Sequence, residues 1–212
     1  MNTQAVMKWA RANPRVRSTL RSIADAIHYD TTDWVRVVMY QKCFEFIRSL
    51  DPGRLDVMEV SAGEHWRKHF EFRSYTPTHY PDFDICRQTL PQKFDLIIAD
   101  QIFEHLLRPA DAARNVLAML KPGGWFIIAT PFLIRVHPSP IDCRRWTEQG
   151  LAMFLEDAGF RSDLIKTDSW GNRACVVANF KGWKKRGFFG SLVNEPEFPV
   201  TVWAFAQKPE EI

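Results

Sequence analysis

Phe94–Pro131 reads FDLIIADQIFEHLLRPADAARNVLAMLKPGGWFIIATP. Phe94 to Ala99 is, apart from Asp95, an apolar run of strand length without polar alternation, the pattern of a strand buried on both faces of a parallel sheet. Asp111 to Leu120 changes to helical spacing, with Ala112, Val116, Met119 and Leu120 close to one face. Lys121-Pro122-Gly123-Gly124 stops that helix, and Trp125 to Ala129 is a second buried strand. A β-loop-α-turn-β unit of this kind requires parallel strands and a right-handed crossover. Ligands of such sheets sit at the carboxyl ends of the strands. Here those ends carry Asp100-Gln101 and Thr130-Pro131.

Outward from this unit, Leu55 to Val60 has the make-up of a first sheet strand, and Ser61-Ala62-Gly63 turns the chain into a helix from Glu64 to Phe70. Phe72 to Tyr75 and Phe83 to Cys86 suit a second and a short third strand. Thr147 to Ala158 is a helix with Thr147 as its cap and Gly159 at its end. Asp163 to Thr167 and Val200 to Phe205 suit a final antiparallel pair. Between them Lys181 to Pro199, rich in glycine, proline and aromatics, is a long surface excursion of the kind that forms lids or contact surfaces.

Residues 1–53 form a helical lead-in, and 54–212 form the sheet domain as one unit. Asn13-Pro14 opens a helix through His28. Thr31-Thr32-Asp33 caps a second helix, with Val35, Val38, Met39, Cys43, Phe46, Ile47 and Leu50 at helical period, ended by Asp51-Pro52-Gly53. These helices are expected over one end of the sheet.

FDLIIADQIFEHL, LKPGGWFIIATP and WTEQGLAMFLEDAGF, in this order and spacing, resemble the small-molecule branch of the class I S-adenosylmethionine-dependent methyltransferases. The likeness covers Leu55 to Phe160 well. It implies a Rossmann-like α/β fold with a seven-stranded, mostly parallel sheet in the order 3-2-1-4-5-7-6. It implies S-adenosylmethionine as cofactor, S-adenosylhomocysteine as product, and no metal. The implied activity is methyl transfer to a hydroxyl, less readily an amine, of a small molecule or sugar. The competing reading is a methyltransferase-like binding or assembly module without activity.

The same likeness assigns residues. Glu59, Ser61, Ala62 and Gly63 stand at the family's glycine-rich turn, which here keeps a single glycine flanked by small residues. The acidic residue that usually holds both ribose hydroxyls is missing after the second strand. Tyr75, Thr76 or Asp84 take its place, with Asp84 equally at home as a local cap. Asp100 and Gln101 face the methionine part of the cofactor. His137, before Asp142, Arg144, Arg145 and Trp146, lies in a proline-stiffened loop at the ligand edge. His137 is the first candidate base, oriented by Asp142, and His105 the second. Arg144, Arg145 and Trp146 are the expected acceptor contacts, through the guanidinium's affinity for acidic or polyhydroxylated groups.

Composition narrows the rest. The 212 residues are 46% hydrophobic and 25% charged, with net charge +3, which suits one globular domain and gives no bulk reason to expect nucleic acid. Local basic clusters, Arg11, Arg15, Arg17 and Arg21 and then Lys181, Lys184, Lys185 and Arg186, suit a solvated face. Cys43, Cys86, Cys143 and Cys175 form no paired motif, so reduced thiols and a cytoplasmic setting are expected. No stretch reaches the ~20 apolar residues of a membrane span. His65 and His69, four apart, suit a surface helix face better than a metal site. Phe188, Phe189 and Phe198 mark a contact patch for a homodimer.

Overall fold

The computed structural model describes residues 30–63, 65–138 and 140–210, together with Asn13 and Val16. The helix expected from Asn13 to His28, the first basic cluster and Glu64 otherwise lie outside the described residues. Strands β2 (Asp56–Glu59), β3 (Ser74–Pro77), β4 (Phe94–Asp100), β5 (Leu120–Pro131), β6 (Ile165–Trp170) and β8 (Thr201–Gln207) form a six-stranded sheet ordered β3-β2-β4-β5-β8-β6. Neighbours from β3 to β5 are parallel, and β8 is antiparallel to both β5 and β6. The α/β class and the antiparallel final pair are as the sequence indicates.

Successive residues of the central strands go to opposite faces, which is why their sequences are apolar throughout. Met58, Ile97, Ala99, Phe126 and Ile128 pack on one side, with Val116 and Met119 of helix α3 (Pro109–Met119) and Leu151 and Leu155 of α4 (Glu148–Asp157). Val57, Leu96, Ile98, Ile127 and Ala129 pack on the other, with Met39, Cys43 and Ile47 of α1 (Val37–Ser49) and Trp66 of α2 (His65–His69). Helix α1 is therefore part of one face of the core rather than a cap over an end. Losing a fully buried ring such as Phe126, in contact with Phe103 and Phe160, would cost ~3–5 kcal/mol.

The irregular first residues of β5, where its register against β4 shifts, explain its glycines. Gly123 has φ +72°, and a Cβ on Gly124 would come within 2.9 Å of the Lys121 carbonyl and 3.0 Å of the Phe94 carbonyl. Thr147 caps α4 as expected, its Oγ1 accepting the Gly150 N–H at 3.1 Å.

Further expectations fail. Phe83 to Cys86 is a turn, so the expected third strand, outermost in the order 3-2-1-4-5-7-6, is absent among the described residues and β3 is a sheet edge. The segment's backbone groups are spent locally: Arg87 and Gln88 N–H donate to the Asp84 carbonyl, and Asn115 Nδ2 of α3 donates to Ile85 O at 2.8 Å. Asp30–Asp33, expected in part as a helix cap, is strand β1, and it pairs antiparallel with β7 (Lys185–Gly187). The ribbon is tied by Lys185–Asp33 at 2.8 Å and Arg186–Asp30 at 3.3 Å. The C-terminal excursion is thus pinned, also through the Trp34 and Trp170 indoles, which donate to Ser191 O (3.0 Å) and Leu192 O (3.1 Å). Helix α5 (Arg173–Ala178) leads into it, Asn172 capping its start.

All four cysteines are free. Phe188 and Phe189 are exposed, whereas Phe198 is half-buried under Arg173, whose guanidinium lies 4.7 Å from the ring. His65 is not at a free surface: it stacks on Tyr40 at 4.0 Å, while His69 is exposed. Among the described residues no helix is long and apolar enough to cross a membrane.

Candidate active site

The chain turns sharply after β2, and Ser61 takes φ 51°, a left-handed conformation that glycine would adopt without strain. This turn presents the Gly63 N–H to Glu59 Oε1 at 2.9 Å, while the Tyr75 hydroxyl donates to Glu59 Oε2. The Thr78 N–H and hydroxyl both reach the Glu59 carbonyl, and Ala62 N–H donates to Thr78 O at 2.9 Å. Burial raises the Glu59 carboxyl above its ordinary range, against the two hydrogen bonds that favour its charged form. A Cβ on Gly63 would meet nothing nearer than 4.0 Å, so the exposed mouth of the turn is open. Thr76 follows on β3, half-buried. Asp84 sits elsewhere, capping its own turn by accepting the Cys86 N–H at 2.9 Å, with Arg87 at 3.5 Å.

Next in the sheet, β4 ends in Asp100 and Gln101. Gln101 has φ 59°, an uncommon conformation for a side-chain-bearing residue and one that clusters at functional sites. Asp100 Oδ2 accepts the Tyr40 hydroxyl at 2.9 Å and lies 3.7 Å from Arg36, both from the start of α1. Burial and the Asp100 charge push the Tyr40 phenol up. Asp100 Oδ1 and Gln101 Nε2 are buried and have no protein partner. One is an acceptor and the other a donor, side by side at the strand end. Together they suit the ammonium and carboxylate of an amino-acid moiety, so the residues present fit the methionine part of S-adenosylmethionine.

Beyond them lies a cavity of ≈ 240 Å³, bordered by Arg36, Gln101, Glu104, His105, His137 and Trp183. Glu104 stands in a 3-10 turn, Phe103–His105, and is fully buried with neither carboxylate oxygen hydrogen-bonded. That burial pushes its carboxyl up to about 8. The His137 loop docks on this turn through Cys143 N–H to Glu104 O at 2.8 Å. His105 Nδ1 bonds the Ile141 carbonyl, which can only accept, so Nδ1 carries the proton and Nε2 is the free nitrogen. The His105 and His137 rings meet edge to face at 5.0 Å, and Trp183 closes on His137 at 5.4 Å. Arg135 stacks over Trp183 at 4.6 Å.

Asp142 holds the loop. It accepts the His137 N–H at 2.9 Å, lies 3.1 Å from His137 Nδ1, and takes a two-armed bond from Arg145. The Arg145 guanidinium holds its carboxyl down to about 2. Burial lowers the His137 imidazole, against the pull of Asp142. His137, His105 and Asp142 are therefore brought together, as are Glu59, Gly63, Tyr75 and, one strand over, Asp100 and Gln101. Arg144, Arg145 and Trp146 do not border the cavity. Arg145 is committed to Asp142, Arg144 donates to Leu106 O at 2.9 Å, and Trp146 packs on Phe154 at 5.2 Å. Sequence reasoning passed over Glu104, Arg36, Tyr40 and Trp183. The available signal for Glu104 was a carboxylate beside a histidine just past a wholly apolar strand.

A family model described as a methyltransferase domain matches residues 29–165. A curated relative from Mycolicibacterium smegmatis, named as a probable S-adenosylmethionine-dependent methyltransferase, is 26% identical over 132 residues. The match takes in 50% of this chain and 51% of the relative, so the chain spans about half the length of that protein. Among solved structures, an S-adenosylmethionine-dependent methyltransferase from Mesorhizobium loti superposes with TM-score 0.53 at 16% identity, covering 78% of this chain and 97% of that one. The 4+2 cyclase SpnF superposes with TM-score 0.52 at 15% identity, covering 80% and 81%. The structural likenesses speak for the fold, and the match over residues 29–165 for the family: the chain belongs to the class I S-adenosylmethionine-dependent methyltransferases.

Proposed function

We propose that this chain transfers the methyl group of S-adenosylmethionine to a hydroxyl oxygen of a small molecule or sugar held in the cavity beside Gln101. The observation that carries this reading is the pair of buried, unpartnered atoms Asp100 Oδ1 and Gln101 Nε2, set between the Glu59–Gly63 turn and a polar cavity. A methyltransferase fold alone does not carry it, since the same fold is shared by a protein named as a cyclase. A cavity of ≈ 240 Å³ suits a small acceptor rather than a polymer.

The cofactor supplies an electrophilic methyl on a sulfonium, and the protein supplies alignment and a route for one proton. Held between the Glu59–Gly63 turn and Asp100-Gln101, the cofactor would supply the methyl to an acceptor oxygen placed in line and would keep the carbon–sulfur electron pair as a neutral thioether. The acceptor's proton leaves through the Glu104, His105 and His137 cluster. Oxygen is favoured over nitrogen as acceptor because this cluster offers groups that strip a proton, which a neutral amine does not need to lose before attack.

Calorimetric titration with S-adenosylmethionine and S-adenosylhomocysteine tests the reading. The native chain should bind both. Gly63→Val, for which the turn has room, should keep the circular dichroism spectrum and lose binding. His137→Ala should keep binding and lose turnover by roughly two to four orders of magnitude. No binding by the native chain would favour the binding-module reading.

A further inference from the structure

Glu104, His105 and His137 each offer one ligand atom, and these atoms lie within 4.8 Å of one another. The two imidazoles are oriented for convergence. His105 turns Nδ1 to the Ile141 carbonyl and His137 turns Nδ1 towards Asp142, so both Nε2 atoms face inward. They stand 3.5 Å and 3.9 Å from Glu104 Oε1. That oxygen and its twin are buried without a partner, at the border of the cavity. Nothing in the described residues hydrogen-bonds this carboxylate, and a buried group left unpaired is destabilising unless a ligand satisfies it. His105 is held by a backbone carbonyl behind its ring, while Asp142 Oδ2 lies 3.1 Å behind His137 Nδ1 without hydrogen-bond alignment, so a small turn of the His137 ring completes the backing that metal-binding histidines use to fix tautomer and ring direction.

We propose that Glu104 Oε1, His105 Nε2 and His137 Nε2 bind a divalent transition metal ion of the zinc class, with its open positions facing the cavity. Bonds of ~2.0–2.2 Å place tetrahedral ligands ~3.3–3.5 Å apart, so the two Glu104–histidine pairs, at 3.5 and 3.9 Å, need move little, and no pair need draw together by more than about 1.5 Å. Two imidazoles and one carboxylate suit zinc, cobalt or iron(II), whereas magnesium prefers oxygen ligands and a stricter octahedron. The inference rests on the methyl-transfer reading for its purpose: a hydroxyl bound at an open position would shed its proton to solvent at neutral pH, as metal-bound water does. His137 then acts as a ligand, not as the base itself. Asp142 is a positioning residue that steers His137.

The test uses the untagged chain, stripped by a chelator and dialysed against Zn²⁺ or Co²⁺ alone. One equivalent should be taken up, and Co²⁺ should give the visible absorption of a low-coordinate nitrogen and oxygen site. Glu104→Gln, nearly isosteric, and His105→Ala should each weaken Zn²⁺ binding by roughly 100-fold or more, at least the effect of losing a supporting contact. Asp142→Asn should weaken it by ~10–100-fold and shift the Co²⁺ spectrum. His69→Ala, at an exposed imidazole, should change nothing, and millimolar Mg²⁺ should not compete. Failure of the native chain to take up metal, or undiminished uptake by Glu104→Gln, overturns the proposal. S-adenosylmethionine binding is measured separately on the metal-free chain. Cofactor binding without metal uptake sinks the metal site alone, and metal uptake without cofactor binding sinks the methyl-transfer reading alone.

Discussion

Glu59 ends β2 and Glu104 follows the neighbouring β4, both nearly inaccessible to solvent, and they are kept in opposite ways. Glu59 receives the Gly63 N–H and the Tyr75 hydroxyl, and its backbone carbonyl receives Thr78. Glu104 receives nothing on either oxygen. The first carboxylate is an internal strut: its partners shape the turn after β2 whether or not a ligand is there. The second has desolvation without compensation, so the fold holds it at a cost that a ligand would offset. Neighbouring acids at one sheet edge can thus be sorted by what satisfies them.

The sharpest way to break this contrast is to replace each acid by leucine. Glu104→Leu removes an unpaired buried group and should raise stability by ~1–3 kcal/mol while lowering turnover by at least two orders of magnitude. Glu59→Leu strands the Gly63 N–H and Tyr75 hydroxyl and should lower stability by a similar ~1–3 kcal/mol. Denaturant titration gives both numbers, and two changes of the same sign would undo the comparison. A gentler version is Tyr75→Phe, which removes one of the two donors to Glu59. It should cost ~0.5–1.5 kcal/mol, the usual net worth of a hydrogen bond, and leave S-adenosylmethionine affinity within a few-fold. A complete loss of affinity would move Tyr75 from strut to cofactor contact.

The smallest effect belongs to the opposite edge of the sheet, where Asp56 and Asp95 are met by Arg73 and by Lys121 at 2.7 and 2.9 Å. Bonds from Arg73, then Lys121 and Ser74, hold the Asp56 carboxyl far below its ordinary range. A depressed folded value means that the contribution is present above the unfolded value near ~4 and is lost as pH falls below it. Lys121→Ala should therefore lower the unfolding midpoint slightly at neutral pH, and the two curves should converge in acid. A gap as wide at pH 2 as at neutral pH, or wider, would show that Lys121 acts by packing instead. High salt should narrow the neutral gap as well, because the cluster is solvent-exposed.

The parts of the molecule legible in its sequence are those where one local pattern has one solution. Leu96–Ala99 and Trp125–Ala129 are apolar without interruption because both sheet faces are covered, and they lie in strands as read. Phe83–Cys86 carries the same kind of short apolar signal, yet Asp84 closes a turn on itself and Asn115 claims the Ile85 carbonyl, a partner from another helix that no local pattern announces. The place of Asp100 and Gln101 at the carboxyl end of β4 was legible from the apolar run before them, and that end is where parallel sheets collect ligand groups. Glu104 was not, because its burial depends on a loop more than thirty residues on, which docks Cys143 against it. Arg144 and Arg145 show the converse: arginines in a ligand-edge loop invite a binding role, but one is consumed by Asp142 and the other by a carbonyl.

The ribbon of β1 and β7 has a consequence for how the chain matures on the ribosome. Trp34 N–H reaches the Lys184 carbonyl, and Thr201 Oγ1 reaches the Val35 carbonyl at 2.6 Å across 166 positions of sequence. The parallel core from β2 to β5 is complete once Pro131 has emerged. The cavity wall, which needs Trp183 and Thr201, must wait for nearly the whole chain. Such long closures are made late and slowly, because the loop entropy is lost before any contact offsets it. A nascent chain therefore has the β2–β5 strand ends before it has the cavity beside them, and the cavity is complete only when β8 docks.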